Sequence, residues 1–228
     1  MPRATALLSE ADHARVTAAV SAAEARTAGE IVAVVTGRSD GYTDVALAWA
    51  AAAAMTALTV LSIFPDFYLG YYDRLLGDWG AEWTPRGILA FAASAAILKF
   101  IGMVLLQLWQ PLRFWLIPPH IKLQRVRSRA VTLFKVGAER RTQGRTGVLI
   151  YLSMHEHRAE IVADEAIAAQ VSDEVWGAAM AAMLAAIREG RVADGMIAAV
   201  AQVGEILSEH FPRAENDVNE LPDRLIEV

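Results

Sequence analysis

Two long apolar runs limit what this chain can fold into. Residues 45–64, VALAWAAAAAMTALTVLSIF, are twenty residues without a charge. As a helix rising about 1.5 Å per residue, that run is long enough to cross a hydrocarbon layer about 30 Å thick. Residues 87–109, GILAFAASAAILKFIGMVLLQLW, repeat the pattern with Lys99 as their one charge. In lipid such segments must be helical, because no water is there to satisfy the backbone. The competing reading is a pair of buried helices in a soluble core, but two runs of this length rarely occur in soluble helices. The sequence predicts a transmembrane hairpin: one helix over 45–64, an external loop over 65–86 and a second helix over 87–109.

Charge sets the expected orientation. The loop carries Asp66, Asp73, Asp78 and Glu82 against Arg74 and Arg86, whereas Arg113, Lys122, Arg125, Arg127 and Arg129 follow the second run. Lysines and arginines near span ends stay on the cytoplasmic side. The expectation is a multi-pass protein of the bacterial inner membrane with both termini cytoplasmic. Trp79 and Trp83 before the second run, and Trp109 and Trp115 at or after its end, suit interfacial anchors at opposite faces. Residues 111–119, PLRFWLIPP, then run along the inner interface. Lys99 falls near the middle of its span, where a lysine costs roughly 2.5–3.5 kcal/mol on insertion scales. Two accounts stay open. Its stem snorkels towards an interface, or its ammonium meets polar groups: Thr56 or Thr59 of the first span, a carboxylate on another membrane protein, or a self-associated hairpin.

The flanks read as parts of an α/β domain. Ser9 with Asp12 three residues on predicts a helix start, and Val16, Ala19, Val20 and Ala23 share one helical face, with Gly29 placed just past the helix end. Glu30–Thr36, EIVAVVT, predicts a buried strand, and GRSDG after it a turn. Beyond the hairpin, 121–141 predicts a basic amphipathic helix with Leu123, Val126, Ala130, Leu133 and Phe134 on its apolar stripe. Its charges near anionic lipid would be worth about 1 kcal/mol each. RTQGRTG (141–147) is a turn. Gly147–Ser153 and 158–164 predict a strand hairpin. A short helix over 164–170 follows, and then one over 173–189 burying Val175, Trp176, Ala179, Met180, Met183, Leu184 and Ile187. The last covers 193–210, with Met196, Ile197, Val200, Val203 and Leu207 inside. The acidic tail 213–228 is expected to be ordered only in part.

Composition removes several functions. The net charge is −5 and the basic residues cluster beside the hairpin, which argues against a nucleic-acid partner. There is no cysteine, hence no disulfide, thiol catalysis or thiolate metal site. The N-terminus lacks the apolar segment of a signal peptide, so the first span directs insertion. No nucleophile elbow, zincin helix or phosphate loop appears. His155 and His157 flank Glu156 in a metal-ligand spacing, although a solvated hairpin tip is the ordinary reading of such a turn. Asp164, Glu165 and Asp173 gather near the end of the third strand. The ordinary role for Asp164 and Asp173 there is helix N-capping.

Taken in order, Leu8 and Ser9, the strand Glu30–Thr36, Gly147 to Leu152, the strand 158–164, Trp176, Gly190 and Gly195 form a pattern that resembles the TPM domain family. That family is found in thylakoid-lumen phosphatase-like and photosystem II repair proteins. The likeness covers 7–36 and 130–212, and is greatest to membrane-bound bacterial members. It implies an α/β fold in which a small central β-sheet carries helices on both faces, here interrupted by the two-helix hairpin. The first part of the domain is then 1–44 and the second 110–212. It also implies that Asp164, Glu165 and Asp173 are the candidate ligands of a divalent cation such as calcium, which needs six or more oxygens, in a metal-dependent phosphatase facing the cytoplasm. The hairpin, the basic helix beside it and the lack of a complete catalytic motif point instead to an interaction module in assembly, maintenance or turnover of membrane proteins. The partners expected are membrane lipid and another membrane protein or a second copy.

Overall fold

A computed structural model describes residues 7–76, 83–137, 146–213 and 223–228. The chain divides into two compact units, Met1–Asp40 with Pro119–Val228, and Gly41–Pro118.

The first unit is built on a four-stranded sheet of order β3-β2-β1-β4. β1 (Glu30–Thr36) and β2 (Gly147–Ser153) run parallel, with Glu30 opposite Gly147 and Thr36 opposite Ser153. β3 (Arg158–Ala163) returns antiparallel to β2, and β4 (Ile226–Glu227) lies parallel to β1 on its other side. β1 and β2 are buried at every position, which is why both read as unbroken apolar runs rather than alternating ones. Alternate residues serve two cores. Ile31, Ala33, Val35, Val148, Ile150 and Leu152 face the layer made by α1 (Glu10–Glu24), α8 (Asp173–Arg188) and α9 (Val192–His210). Val32, Val34, Leu149 and Tyr151 face α6 (Pro119–Gly137), which buries Val126, Ala130 and Phe134 on them. Each such aliphatic side chain contributes about 1.5–3 kcal/mol when fully buried. This is the sheet with helices on both faces that the sequence implies.

Local details differ from expectation in informative ways. Ser9 does cap α1, its Oγ accepting from the Asp12 amide at 3.1 Å. Gly29 is not the helix terminator: α1 ends at Glu24, and Gly29 sits at the entrance to β1, where an added Cβ would lie 2.9 Å from Leu207. In α8, Trp176, Ala179 and Met183 are buried but Val175 is 41 % exposed, and Leu123 of α6 is 46 % exposed. Val175 falls at the margin of the stripe that helical periodicity gives, whereas Leu123 lies towards the N-terminal end of α6, ahead of the buried Val126, Ala130 and Phe134. The third strand stops at Ala163, and Asp164 occupies the N-cap of the short α7 (Glu165–Ala168). Residues 141–145 of the expected turn lie outside the described residues. The tail, of which 214–222 are likewise outside, adds an edge strand through Ile226 and Glu227 instead of trailing off.

The second unit is a helical hairpin. α2 (Thr43–Ile63) and α4 (Pro85–Leu106) pack against each other, and both start and end one to three residues earlier than hydropathy alone places them. Thr84 caps α4 through its hydroxyl, which accepts from the Gly87 amide at 3.1 Å, with Pro85 in the first turn. The Gln107 amide nitrogen bridges the helices by donating to the carbonyls of Ala46 (3.0 Å) and Met103 (3.1 Å). The segment expected as an external loop begins with a helix, α3 (Pro65–Leu76), rich in aromatic residues. α5 (Gln110–Leu116) follows α4.

Two glycines allow a packing test. A Cβ on Gly195, in the first turn of α9, would lie 2.7 Å from the carbonyl oxygen of Met183, which is backbone and cannot step aside. Gly177, inside α8, has open space around it. Gly195→Ala is expected to lower stability by about 1–3 kcal/mol. Gly177→Ala should be neutral or stabilising by up to about 1 kcal/mol. Urea denaturation of the purified protein measures both, and equal effects would mean that α8 and α9 do not cross as closely as described.

Candidate functional site

The polar groups of the sheet unit collect where β1 and β2 end, the edge at which parallel sheets commonly place their sites. Glu156, in the turn between β2 and β3, is only 5 % exposed. It accepts from the Ser39 amide at 2.9 Å, and the Ser153 hydroxyl donates to its other oxygen. Ser39 Oγ lies 2.9 Å from the Tyr151 hydroxyl, which burial pushes above its ordinary pKa. Lys122 of α6 is pushed below the usual lysine range by burial and then by Arg158, while Glu156 works in the opposite direction. Arg125 pairs with Asp40 at 3.1 Å. The turn is therefore not a solvated tip: its central carboxylate is an internal brace between the two strand ends. His155 and His157 are exposed beside it, and His155 Nδ1 is hydrogen-bonded to the Gly37 carbonyl. Nothing in the local sequence MHEH marks Glu156 as buried, because its partner Ser39 is more than a hundred residues away.

The carboxylates expected as metal ligands have separate tasks. Asp164 is buried, and its Oδ2 accepts from the Gly147 amide at 3.0 Å while its own amide donates to the Gly147 carbonyl at 2.9 Å. It thus closes the end of the β2–β3 ladder rather than capping α7 with its side chain. Glu165 is exposed. Asp173 begins α8, and its side chain lies outside what is described. Among the described residues no three His, Asp or Glu side chains come together in a way that would hold a metal ion.

A second carboxyl cluster lines a cavity of about 200 Å³ at the other end of the sheet, formed by Glu24, Glu30, Ser21, Thr27, Arg213 and Asp223. Glu24 accepts from the Ile31 amide at 2.7 Å, and Ser21 Oγ donates to Asp223 at 2.6 Å. Burial pushes the Glu24 carboxyl up from its ordinary 4.5 to about 8; the Ile31 amide opposes that rise, and Glu30 and Asp223 add to it. At the remaining edge Glu227 of β4 accepts from the amides of Leu7 (3.1 Å) and Leu8 (2.9 Å) and pairs with His13 at 2.8 Å. Burial alone would raise its pKa, but His13 and the two amides outweigh that and hold it below the ordinary carboxylate range.

In the hairpin unit, Lys99 and Thr56 line one groove between α2 and α4, with a volume of about 650 Å³. Thr56 and Thr59 donate their hydroxyls to the carbonyls of Ala52 (2.8 Å) and Met55 (2.9 Å), so each offers Lys99 only an acceptor oxygen, and Thr59 is not part of the lining. Trp83 Nε1 donates to Asp73 at 3.0 Å and its ring lies edge-on to Tyr72 and Phe91. Trp109 and Trp115 are 65 % and 78 % exposed, and Trp79 lies outside the described residues.

Residues 117–206 match the family model of the TPM domain. Over that segment the chain is similar to the TPM domain family. The matched region takes in α6, both strands of the β2–β3 hairpin and most of α9, whereas β1, the strand at the centre of the pairing, lies before it. The structure is similar to the NMR structure of the BA42 protein from the psychrophilic bacterium Bizionia argentinensis, with a TM-score of 0.57 and 17 % identity over 100 % of both chains. At that identity the likeness concerns the fold. No curated protein matches the chain.

The Glu24 environment gives a pH prediction. Because its folded pKa lies above that of the unfolded chain, the native state holds a proton that the unfolded chain loses, so stability falls as pH rises from about 4.5 to about 8. Glu24→Gln keeps the acceptor for Ile31 without the titration. Its Tm at pH 9 is expected to exceed that of the parent by roughly 2–4 °C, the change that about 1 kcal/mol makes in a chain of this size. Thermal melts at pH 5 and pH 9 check this; parallel pH profiles for the two proteins would remove Glu24 as the cause.

Proposed function

We propose that this chain is a TPM-domain protein held in the bacterial inner membrane by the α2–α4 hairpin, with both termini cytoplasmic, and acts as an interaction module in the assembly, maintenance or turnover of other membrane proteins. The observation that carries the reading is the exposure of two helices long and apolar enough to cross a membrane. The most apolar stretches of Thr43–Ile63 and Pro85–Leu106 are 11 % and 0 % buried. A core helix of a soluble protein would be covered, and leaving such surface in water is unfavourable by about 25 cal/mol per Å². Two spans also return the chain to the side it left, as β1 and β2 require to join one sheet. The basic residues of α6 favour the cytoplasmic side for that sheet. An interaction role is supported by the other carboxylates: Glu156, Asp164 and Glu227 each brace backbone or a neighbouring side chain, a structural use rather than a catalytic one.

Reporter fusions test the topology. A reporter joined by a linker after Val228 should be active in the cytoplasm, and one placed within 65–86 in the periplasm. A periplasmic signal from the first would reverse the orientation, and release of the protein by alkaline carbonate would remove the membrane altogether. Replacing 41–118 by a short flexible linker should leave a soluble, cooperatively folding sheet unit. If that chain is unfolded while 119–228 folds alone, the two flanks are not one domain. A rise in Tm of the detergent-purified protein on adding calcium or magnesium would favour the metal-dependent phosphatase instead.

A further inference from the structure

We infer that the groove between α2 and α4 is a docking site for a membrane helix of a different protein that carries an Asp or Glu at the depth of Lys99. This rests on the membrane reading above and names the chemistry of the partner. The groove is lined from Trp49 to Leu61 on α2 and from Phe91 to Met103 on α4, twelve residue steps on each helix, or about 18 Å at 1.5 Å per residue. Tyr68 of α3 and Leu116 of α5 also contribute to its lining. Its lining includes Ala52, Ala53, Ala57 and Ala95, small enough for another backbone to approach closely, as helix pairs in membranes do.

Charge selects among occupants. Lys99 lines the groove, and among the described residues it makes no hydrogen bond or ion pair. Neither 45–64 nor 87–109 contains an Asp or Glu. A second copy of this hairpin would therefore set ammonium against ammonium instead of neutralising it. A phospholipid carries its charges outside the hydrocarbon layer, whereas Lys99 lies seven residues, about 10 Å, inside the Leu106 end of α4. A carboxylate already inserted at that depth on a partner helix answers the ammonium, and the desolvation of both charges is offset by pairing them.

The test uses full-length protein in phosphatidylcholine vesicles and synthetic Leu/Ala transmembrane peptides of about 22 residues, with association read by energy transfer between fluorophores. A peptide with Glu at the Lys99 depth should bind about tenfold more tightly than its Gln counterpart, a difference within the range of interhelical polar contacts. Lys99→Leu should abolish the preference. Ala53→Phe, which fills the groove and keeps the ammonium, should weaken both peptides. Equal binding of the Glu and Gln peptides, or a preference that survives Lys99→Leu, overturns the proposal. So does Lys99-dependent binding of oleate without peptide selectivity, which would assign the groove to a single-chain lipid. Carbonate extraction of the same vesicles separates the two readings: a protein that stays inserted without Glu selectivity leaves the membrane role standing and removes only the partner.

Discussion

Everything in the sheet unit depends on the parallel pairing of β1 with β2. The seven registered pairs from Glu30–Gly147 to Thr36–Ser153 join two segments separated by the whole helical hairpin and α6. A parallel pair needs a crossover connection, normally a dozen or more residues with one helix. Here α6 does the ordinary work of covering one sheet face, and the apolar hairpin is an insertion ahead of it. Both cores share this pair of strands, since the odd-numbered residues of β1 face α1, α8 and α9 while Val32 and Val34 face α6. Loss of the pairing would open both layers at once.

Around that pair, buried carboxylates act as braces at the strand ends. Glu156 ties the end of β2 to the chain leaving β1, Asp164 ties the end of β3 to the start of β2, and Glu24 receives the second amide of β1. Glu227 fastens the edge strand to the residues that lead into α1. Each replaces water at a backbone amide that sheet geometry leaves unpaired. A buried amide without such a partner would be unfavourable by about 1–3 kcal/mol. The acidic residues of this unit thus owe their burial to local backbone needs.

How much of this could be read from sequence follows from the range of the forces involved. Hydropathy and β-branching act within a segment, so the apolar helices and the buried strands Glu30–Thr36 and Gly147–Ser153 were legible. The fit of helices to the sheet was legible only through stripes, which overreached at Leu123 and Val175. Long-range polar contacts left no local mark. Glu156 looked like a turn residue because Ser39 is distant in sequence, and Asp164 looked like a helix cap because Gly147 is. The edge strand Ile226–Glu227 is too short for any periodicity and is specified by its neighbours β1 and Leu7–Leu8. Helix α3 is not legible in the sequence because its Pro65 start and aromatic content resemble an interfacial loop.

The register of the sheet also sets a timetable for biosynthesis. β1 is finished at Thr36, its partner begins only at Gly147, and the residue opposite Val34 on its other side is Ile226. While the ribosome makes the intervening residues, EIVAVVT has no native strand on either side, and an unpaired apolar strand of this kind is prone to join others like itself. The hairpin emerges during that interval. On the membrane reading proposed above, delivery of 45–64 to the translocation machinery would hold the nascent chain at the bilayer, away from other copies of the same strand, until β2 arrives. Insertion would then come before folding, and the apolar helices would protect the sheet kinetically before they anchor it.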